Sequence, residues 1–213
     1  MRTSTPLHEP SWPTGLADRA AVAVALETAA GPARFIGWSL ASADLGGLDL
    51  HGCEFVRCRA GKADFSSADL TEARFEDCDL NNTRWRGARL AAAKFTGCKL
   101  TGAQFQEVAA LGVSFARSLL VNAYLRRLSF RRQRLEGLDF ADADLVGCDF
   151  RESVLLDCSL RDANLADARF EDADLRGADL GTLRLADAQR FRGAVISRRQ
   201  AADLLSGLGL KVV

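Results

Sequence analysis

The chain is poor in the residues from which most active sites are built. Only two histidines occur in 213 residues, His8 and His51. Neither stands among ligands at metal-binding spacing or beside the groups that general-base work requires. No glycine-rich phosphate loop or nucleophile elbow is present. Neither catalysis nor a cofactor is therefore expected. Long apolar runs are also missing, and none approaches the roughly 20 residues that cross a bilayer. The nearest, Ala20–Leu26, is short, lies close to Glu9 and Asp18, and is cut off by Glu27. It reads as a helix rather than a signal-peptide core, so a cytoplasmic protein with no membrane partner is expected. Excess charge of either sign is absent: 28 basic and 28 acidic residues give a net charge of zero. Proline is scarce, and three of the four precede residue 16, which marks a flexible lead.

What is abundant is periodic. From Phe35 every fifth residue is large and apolar, through Leu40, Leu45, Leu50 and Phe55 and on to Leu185. Of these 31 positions only Ala60 and Ala110 are small, and eleven of the twelve phenylalanines lie on them. Neither a helix nor a strand has this period. Two residues earlier runs a register of small side chains, where Ala fills 14 of 31 positions and all six cysteines sit: Cys53, Cys58, Cys78, Cys98, Cys148 and Cys158. Both registers should point inward, with the cysteines as small buried hydrophobes rather than disulfides or ligands. Like residues also recur at twenty, as in Phe35, Phe55, Phe75, Phe95 and Phe115. Four repeats thus make one turn, and about eight turns stacked at about 4.8 Å would form a rod of roughly 40 Å. Each inward Leu or Phe should contribute on the order of 1.5–3 kcal/mol. Solenoid acyltransferases, the natural enzymatic competitor, use hexapeptide repeats and a catalytic histidine, whereas the period here is five.

Segments such as Ala68-Asp69-Leu70-Thr71-Glu72, Ala143-Asp144-Leu145-Val146-Gly147 and Ala173-Asp174-Leu175-Arg176-Gly177 carry a family signature. They resemble the A-(D/N)-L-x-x consensus of the pentapeptide-repeat family. The resemblance covers about three-quarters of the chain. It implies an all-β solenoid, a right-handed quadrilateral β-helix with inward Leu/Phe and inward small residues. The expected organisation is a lead with a short helix over 1–32, the β-helix over 33–192, and a C-terminal helix with an apolar tail over 193–213. The first helix, Leu16 to Ala30, ends at Gly31-Pro32 and could cap the first turn. The second begins at a capping box, Ser197 with Gln200, and should stop near Gly207. The apolar residues around it, Val195, Ile196, Leu204, Leu205, Leu208 and Leu210, either fold back over the last turn or form a dimer interface.

A helix of the form S-x-x-Q-A-x-x-L followed by G-L resembles the C-terminus of the quinolone-resistance subgroup. The resemblance implies a two-fold dimer through the C-terminal end and a surface that mimics duplex DNA. The implied partner is DNA gyrase or topoisomerase IV, protected from antibiotics that poison it. The charge distribution bears on this. From Glu136 to Asp187 there are 14 acidic and 5 basic residues, a net of −9. Asp139, Asp142, Asp144, Asp149, Glu152, Asp157, Asp162, Asp167, Asp172, Asp174 and Asp179 form the candidate partner-binding surface. A cationic DNA-binding groove would be attracted to it. The competing reading is that Asp before the central Leu is a repeat habit with no partner.

From Gln106 to Leu135 the balance reverses, with six basic residues and one acidic. Arg126, Arg127, Arg131, Arg132 and Arg134 form a secondary basic patch. Here the repeat also loosens: Leu119 and Tyr124 sit where Asp is usual, and Gln133 takes a small-residue position. The patch could dock an unrelated protein partner, bind phosphates, or simply offset the acidic rows. Direct nucleic-acid binding is not expected, because the adjoining acidic turns repel phosphate.

Overall fold

The computed structural model describes residues 7–11, 15–181, 185–207 and 209–211, with no account of the side chains of 185–187. The chain divides into two compact units, Met1–Ser114 and Phe115–Val213. Both are built from the same β-solenoid turn.

In the first unit, helix α1 (Arg19–Ala29) is N-capped by Asp18, whose carboxylate accepts the Ala21 amide at 3.0 Å, and ends at Ala30 in the left-handed region. Val22 and Ala25 are its buried residues. The Ala17 amide donates to the Ser39 carbonyl at 2.7 Å, and the Arg19 side chain reaches the Gly46 carbonyl at 2.5 Å. The lead pairs as well, His8 bridging Ala33 in parallel. Helix and lead together cover edge groups of the first turn, which would otherwise recruit other strands. Strands β1 (Arg34–Ile36), β2 (Glu54–Val56), β3 (Arg74–Glu76) and β4 (Lys94–Thr96) then stack in parallel, with Phe35, Phe55, Phe75 and Phe95 in register. Bridges such as Ser39↔Arg59, Asp44↔Asp64 and Asp49↔Asp69 join the other three sides at the same twenty-residue step. Four repeats per turn are thereby established.

The inward side chains form two aromatic columns in this unit. Phe35, Phe55, Phe75 and Phe95 stack with centroids 4.8–5.0 Å apart, and Phe65, Trp85 and Phe105 at 4.4 and 5.4 Å. The columns meet edge-to-face, as between Phe75 and Trp85 at 5.5 Å, the geometry that aromatic quadrupoles favour. Trp85 keeps its indole donor satisfied through Thr83 Oγ1 at 2.8 Å, and that hydroxyl donates to the Leu80 carbonyl at 2.7 Å. This explains a threonine in the small-residue register.

Three corners of each turn are tight and one is wide. A tight corner closes by an i→i+3 bond, such as Ala43 N to Leu40 O at 3.0 Å, with a left-handed residue (Ser42, φ 58°) third in the turn. These are the features of a type II turn. At the wide corner after each β1–β3 strand the carbonyl is instead taken by a thiol from the next turn. Cys58 Sγ donates to Phe35 O at 3.3 Å, Cys78 to Phe55 O at 3.2 Å and Cys98 to Phe75 O at 3.5 Å. All six cysteines are buried and unpaired by disulfide. Burial pushes the Cys53 thiol up to about 11 and the Cys148 thiol up to about 12. Those two thiols are poor nucleophiles at neutral pH.

Strand β5 (Ser114–Ala116) spans the join of the two units in sequence. The second unit continues the grid with β6 (Arg134–Glu136), β7 (Val154–Ser159) and β8 (Asp174–Asp179), stacked in parallel. Its aromatic column is Phe130, Phe150 and Phe170, spaced 4.8 and 4.7 Å. Gly177 lies inside β8, where a Cβ would fall 3.1 Å from the Leu155 carbonyl, so the two long strands run close together through that corner.

About seven turns are regular. The stretch that would complete an eighth is remodelled by one extra residue. Asp142 N bonds Arg161 O, a step of nineteen, whereas Phe170 N bonds Arg190 O and Asp172 N bonds Arg192 O, a step of twenty. A 3-10 helix, Leu185–Phe191, takes up the insertion. It delivers the one phenylalanine off the grid, Phe191, onto Phe170 at 4.8 Å. Helix α2 (Arg198–Gly207) follows with the expected capping box: Gln200 N donates to Ser197 Oγ at 3.2 Å, and Ser197 N to Gln200 Oε1 at 2.7 Å. The Gln200 amide nitrogen also donates to Leu175 O and Ala178 O, both at 2.7 Å, and so clasps the helix to β8.

Candidate functional site

The acidic residues of the second unit fall into two sets with different local duties. Asp139, Asp144, Asp149, Asp174 and Asp179 precede the central apolar residue of their repeats. Each accepts the backbone amide two residues on, at 3.0–3.3 Å. Asp44, Asp49, Asp64, Asp69 and Asp79 do the same in the first unit at 2.9–3.1 Å. This is the turn-forming habit of a short carboxylate, and it gives these aspartates a structural reason to exist. Several are also neutralised. Asp149 pairs with Arg151, Asp174 with Arg176 and Asp179 with Arg161, each at 2.6 Å, and Asp144 pairs with Arg126 at 2.7 Å. The Arg151 guanidinium holds the Asp149 carboxyl below its ordinary range, and Arg176 does so for Asp174.

The second set occupies the left-handed corners: Asp142, Glu152, Asp157, Asp162, Asp167 and Asp172, with φ between 50° and 60°. Aspartate tolerates this conformation better than most side chains, but the same corners also hold Ser42, Lys62, Ala92 and Arg127, so the fold does not require a carboxylate there. Glycine is the residue that accepts positive φ at no steric cost, and a Cβ in that region costs about 1–2 kcal/mol. Of the six, only Glu152 has an ion pair among the described residues, to Arg131 at 2.5 Å and Arg132 at 2.7 Å. Arg132 and then Arg131 hold its carboxyl down at about 2. Asp142 and Asp162 occupy corners of successive turns, as do Glu152 and Asp172. The candidate acidic surface thus reduces to unneutralised corner charges, Asp142, Asp157, Asp162, Asp167 and Asp172, beside aspartates that serve the turns. The corner register was legible in sequence as the position where glycine recurs, as at Gly137 and Gly147.

The basic patch divides in the same way. Arg126, Arg131 and Arg132 are spent on Asp144 and Glu152. Arg127 and Arg134 are exposed and have no ion pair among the described residues. Gln133 is half-buried and donates to the Ser129 carbonyl at 3.3 Å.

At the C-terminal end Val195, Leu205 and Leu210 are exposed, and Ile196 and Leu204 are half-buried. Helix α2 has no buried residue. Leu208 lies outside the described residues, as do Val212 and Val213 of the tail. Between α2 and the last turn lies a cleft of about 510 Å³ lined by Arg161, Arg176, Gly177, Ser197, Gln200 and Leu204 among others. Its two turn-borne arginines are already tied to Asp179 and Asp174. Among the described residues no group of three or more His, Cys, Asp or Glu could hold a metal ion. No helix among them is long and apolar enough to cross a membrane.

Comparison with known proteins agrees with this architecture. A model described as pentapeptide repeat region matches residues 32–105, and one described as pentapeptide repeats (8 copies) matches 114–151 and 143–181. No curated protein matches the chain in sequence. Among solved structures, a trypsin-treated variant of QnrB1, a plasmid-mediated fluoroquinolone resistance protein, superposes with a TM-score of 0.76 at 23% identity. That match covers 85% of this chain and 90% of the other. Full-length QnrB1 gives a TM-score of 0.68 at 23% identity, covering 84% and 88%. The likeness is one of fold. With its five-residue grid, its four-sided turns and these family matches, the chain belongs to the pentapeptide-repeat family.

Proposed function

We propose that the protein is a DNA mimic that binds a type II topoisomerase, DNA gyrase or topoisomerase IV, and protects it from antibiotics that poison it. One observation carries the reading: the corner carboxylates Asp142, Asp157, Asp162, Asp167 and Asp172 are exposed, have no ion pair among the described residues, and stand at corners that accept many residue types. Exposed charge that the fold does not require is available to a partner, and a cationic DNA-binding groove is one that would take it. The fold that the chain shares with a fluoroquinolone resistance protein supports the same direction. Binding of this kind requires no catalytic group, and it locates the protein in the cytoplasm with its partner. The uncovered apolar residues Val195, Leu205 and Leu210 support a homodimer through the C-terminal end.

A gyrase supercoiling assay with and without a fluoroquinolone tests the proposal. Rescue or inhibition that disappears when Asp142, Asp157, Asp162 and Asp172 are changed to Lys is the expected result. Lysine is tolerated in such corners, as Lys62 at φ 62° shows. Absence of any effect at all concentrations ends the idea. Light-scattering mass of the Leu205→Asp variant, expected to be that of a monomer, tests the dimer separately.

A further inference from the structure

Residues 117–127 of the second unit carry large apolar side chains where ten other repeats carry a turn-capping aspartate. Ten aspartates stand before the central apolar residue of their repeats and accept the amide two residues on. Leu119 and Tyr124 hold the same position and cannot do so. Both face outward, 44% and 43% exposed, and Tyr124 is the only exposed large aromatic among the described residues. Their backbones remain in the regular ladder, Leu119 bridging Asp139 and Tyr124 bridging Asp144. The fold therefore neither needs nor buries these two side chains. They give up a turn cap and expose apolar surface, which is unfavourable unless something covers it.

The corners at either end of this stretch are Arg117 and Arg127, both left-handed and exposed. The corners of the following turn beside them are Gly137 and Gly147. A Cβ on those glycines would lie 3.4 Å from the Arg117 stem and 3.3 Å from the Arg127 stem. Where the following corner is acidic instead, the arginine is consumed, as Glu152 consumes Arg132. Glycine in place of a carboxylate leaves Arg117 and Arg127 with no ion pair among the described residues. Two adjoining sides of the turn thus carry an exposed Leu119 and an exposed Tyr124 across the Asn122 corner, with a guanidinium at the far corner of each. Tyr and Arg are residue types enriched at protein interfaces.

We infer that Arg117, Leu119, Tyr124 and Arg127 form a second recognition surface that takes an acidic protein segment carrying apolar side chains. Charge complementarity selects the occupant. The cationic stretch is one turn thick, about 4.8 Å, and Asp139, Asp142 and Asp144 adjoin it in the next turn. A duplex, with its dense phosphate charge, would overlap those carboxylates. A single segment bent round the Asn122 corner can align its carboxylates with the two arginines and its apolar side chains with Leu119 and Tyr124. This inference is independent of the topoisomerase reading, because it uses none of the acidic corners as contacts.

Fluorescence anisotropy with a labelled peptide alternating glutamate and leucine tests it without any topoisomerase present. The expected result is binding that weakens with salt and falls about tenfold or more in the Leu119→Asp/Tyr124→Asp double variant and in Arg117→Glu/Arg127→Glu. The aspartate variant restores the residue that ten other repeats use, so it keeps the fold, and an unchanged or higher Tm verifies that. No binding by the native protein, or equal binding by both variants, overturns the inference. So does equal affinity for a polyglutamate peptide, which would mean charge alone. Displacement of the peptide by a duplex oligonucleotide would overturn it in favour of a phosphate-binding surface.

Discussion

The two units share one scaffold and differ in what stands at its corners. From Gly37 to Gly112 the left-handed corners include seven glycines and three acids, Glu72, Asp77 and Glu107. From Arg117 to Asp172 they include two glycines, six acids and three arginines. Along the sides of the turns the first unit neutralises its charges one turn apart, Asp64 on Arg84 at 2.9 Å and Asp69 on Arg89. The second unit leaves five corner carboxylates open. The comparison teaches that this solenoid separates its duties by register: inward positions build the core, the position before the central residue builds the turn, and the corner is free to vary.

The largest effect should come from what the units have in common. Phe75→Ala in the first and Phe150→Ala in the second each remove a ring stacked between two others. Each should cost about 3–5 kcal/mol in urea unfolding. A cost below 1 kcal/mol in either unit would mean that its column is not the core.

A smaller effect of opposite sign should separate the two acidic sets. Asp79→Ala and Asp139→Ala each delete a turn cap and should destabilise by about 1 kcal/mol. Asp142→Gly and Asp162→Gly relieve a left-handed Cβ and should stabilise by a few tenths to about 1 kcal/mol while weakening topoisomerase binding. Thermal unfolding of these four variants checks the division. If Asp142→Gly destabilises as much as Asp139→Ala, the two sets are one.

Acid should then reveal the paired charges in each unit. Hydrogen bonding to Arg89 holds the Asp69 carboxyl at about 2, and Arg132 with Arg131 holds Glu152 at about 2. In the unfolded chain both titrate near 4. Their contributions are therefore present above that value and are lost as pH falls from about 4 towards 2. Asp69→Asn and Glu152→Gln should each flatten the fall of stability across that window. Both pairs are largely exposed, so the change is small and salt-sensitive. Smallest of all is the response of the thiols: none of the six should react with an aromatic disulfide reagent before urea unfolds the chain, since all are buried.

Much of this was legible in the sequence. The grid from Phe35 specified the inward face, and the recurrence at twenty specified the turn, because each inward position meets its own kind one turn later. Ser197 and Gln200 announced the last helix through local hydrogen-bonding chemistry alone. The duty of the aspartates before the central residue was legible as a repeat habit, whereas the left-handed setting of Asp142 and its register showed only indirectly, in the glycines that recur there. The neutralisation of Arg126, Arg131 and Arg132 was not legible, since it depends on residues about twenty positions away in the next turn. The single added residue before Phe191 escaped for a related reason. A frame shift in a periodic pattern reads as the end of the pattern, although the ring still finds its place on Phe170.

One side-chain amide near the end of the chain has a consequence for assembly. By occupying the Leu175 and Ala178 carbonyls, Gln200 removes acceptors that an incoming chain would need to extend the stack at β8. Growth by successive addition of molecules, the route to fibres, is disfavoured at those two acceptors. Whatever meets the protein at that terminus must engage side chains, and such contacts can be finite, selective and reversible.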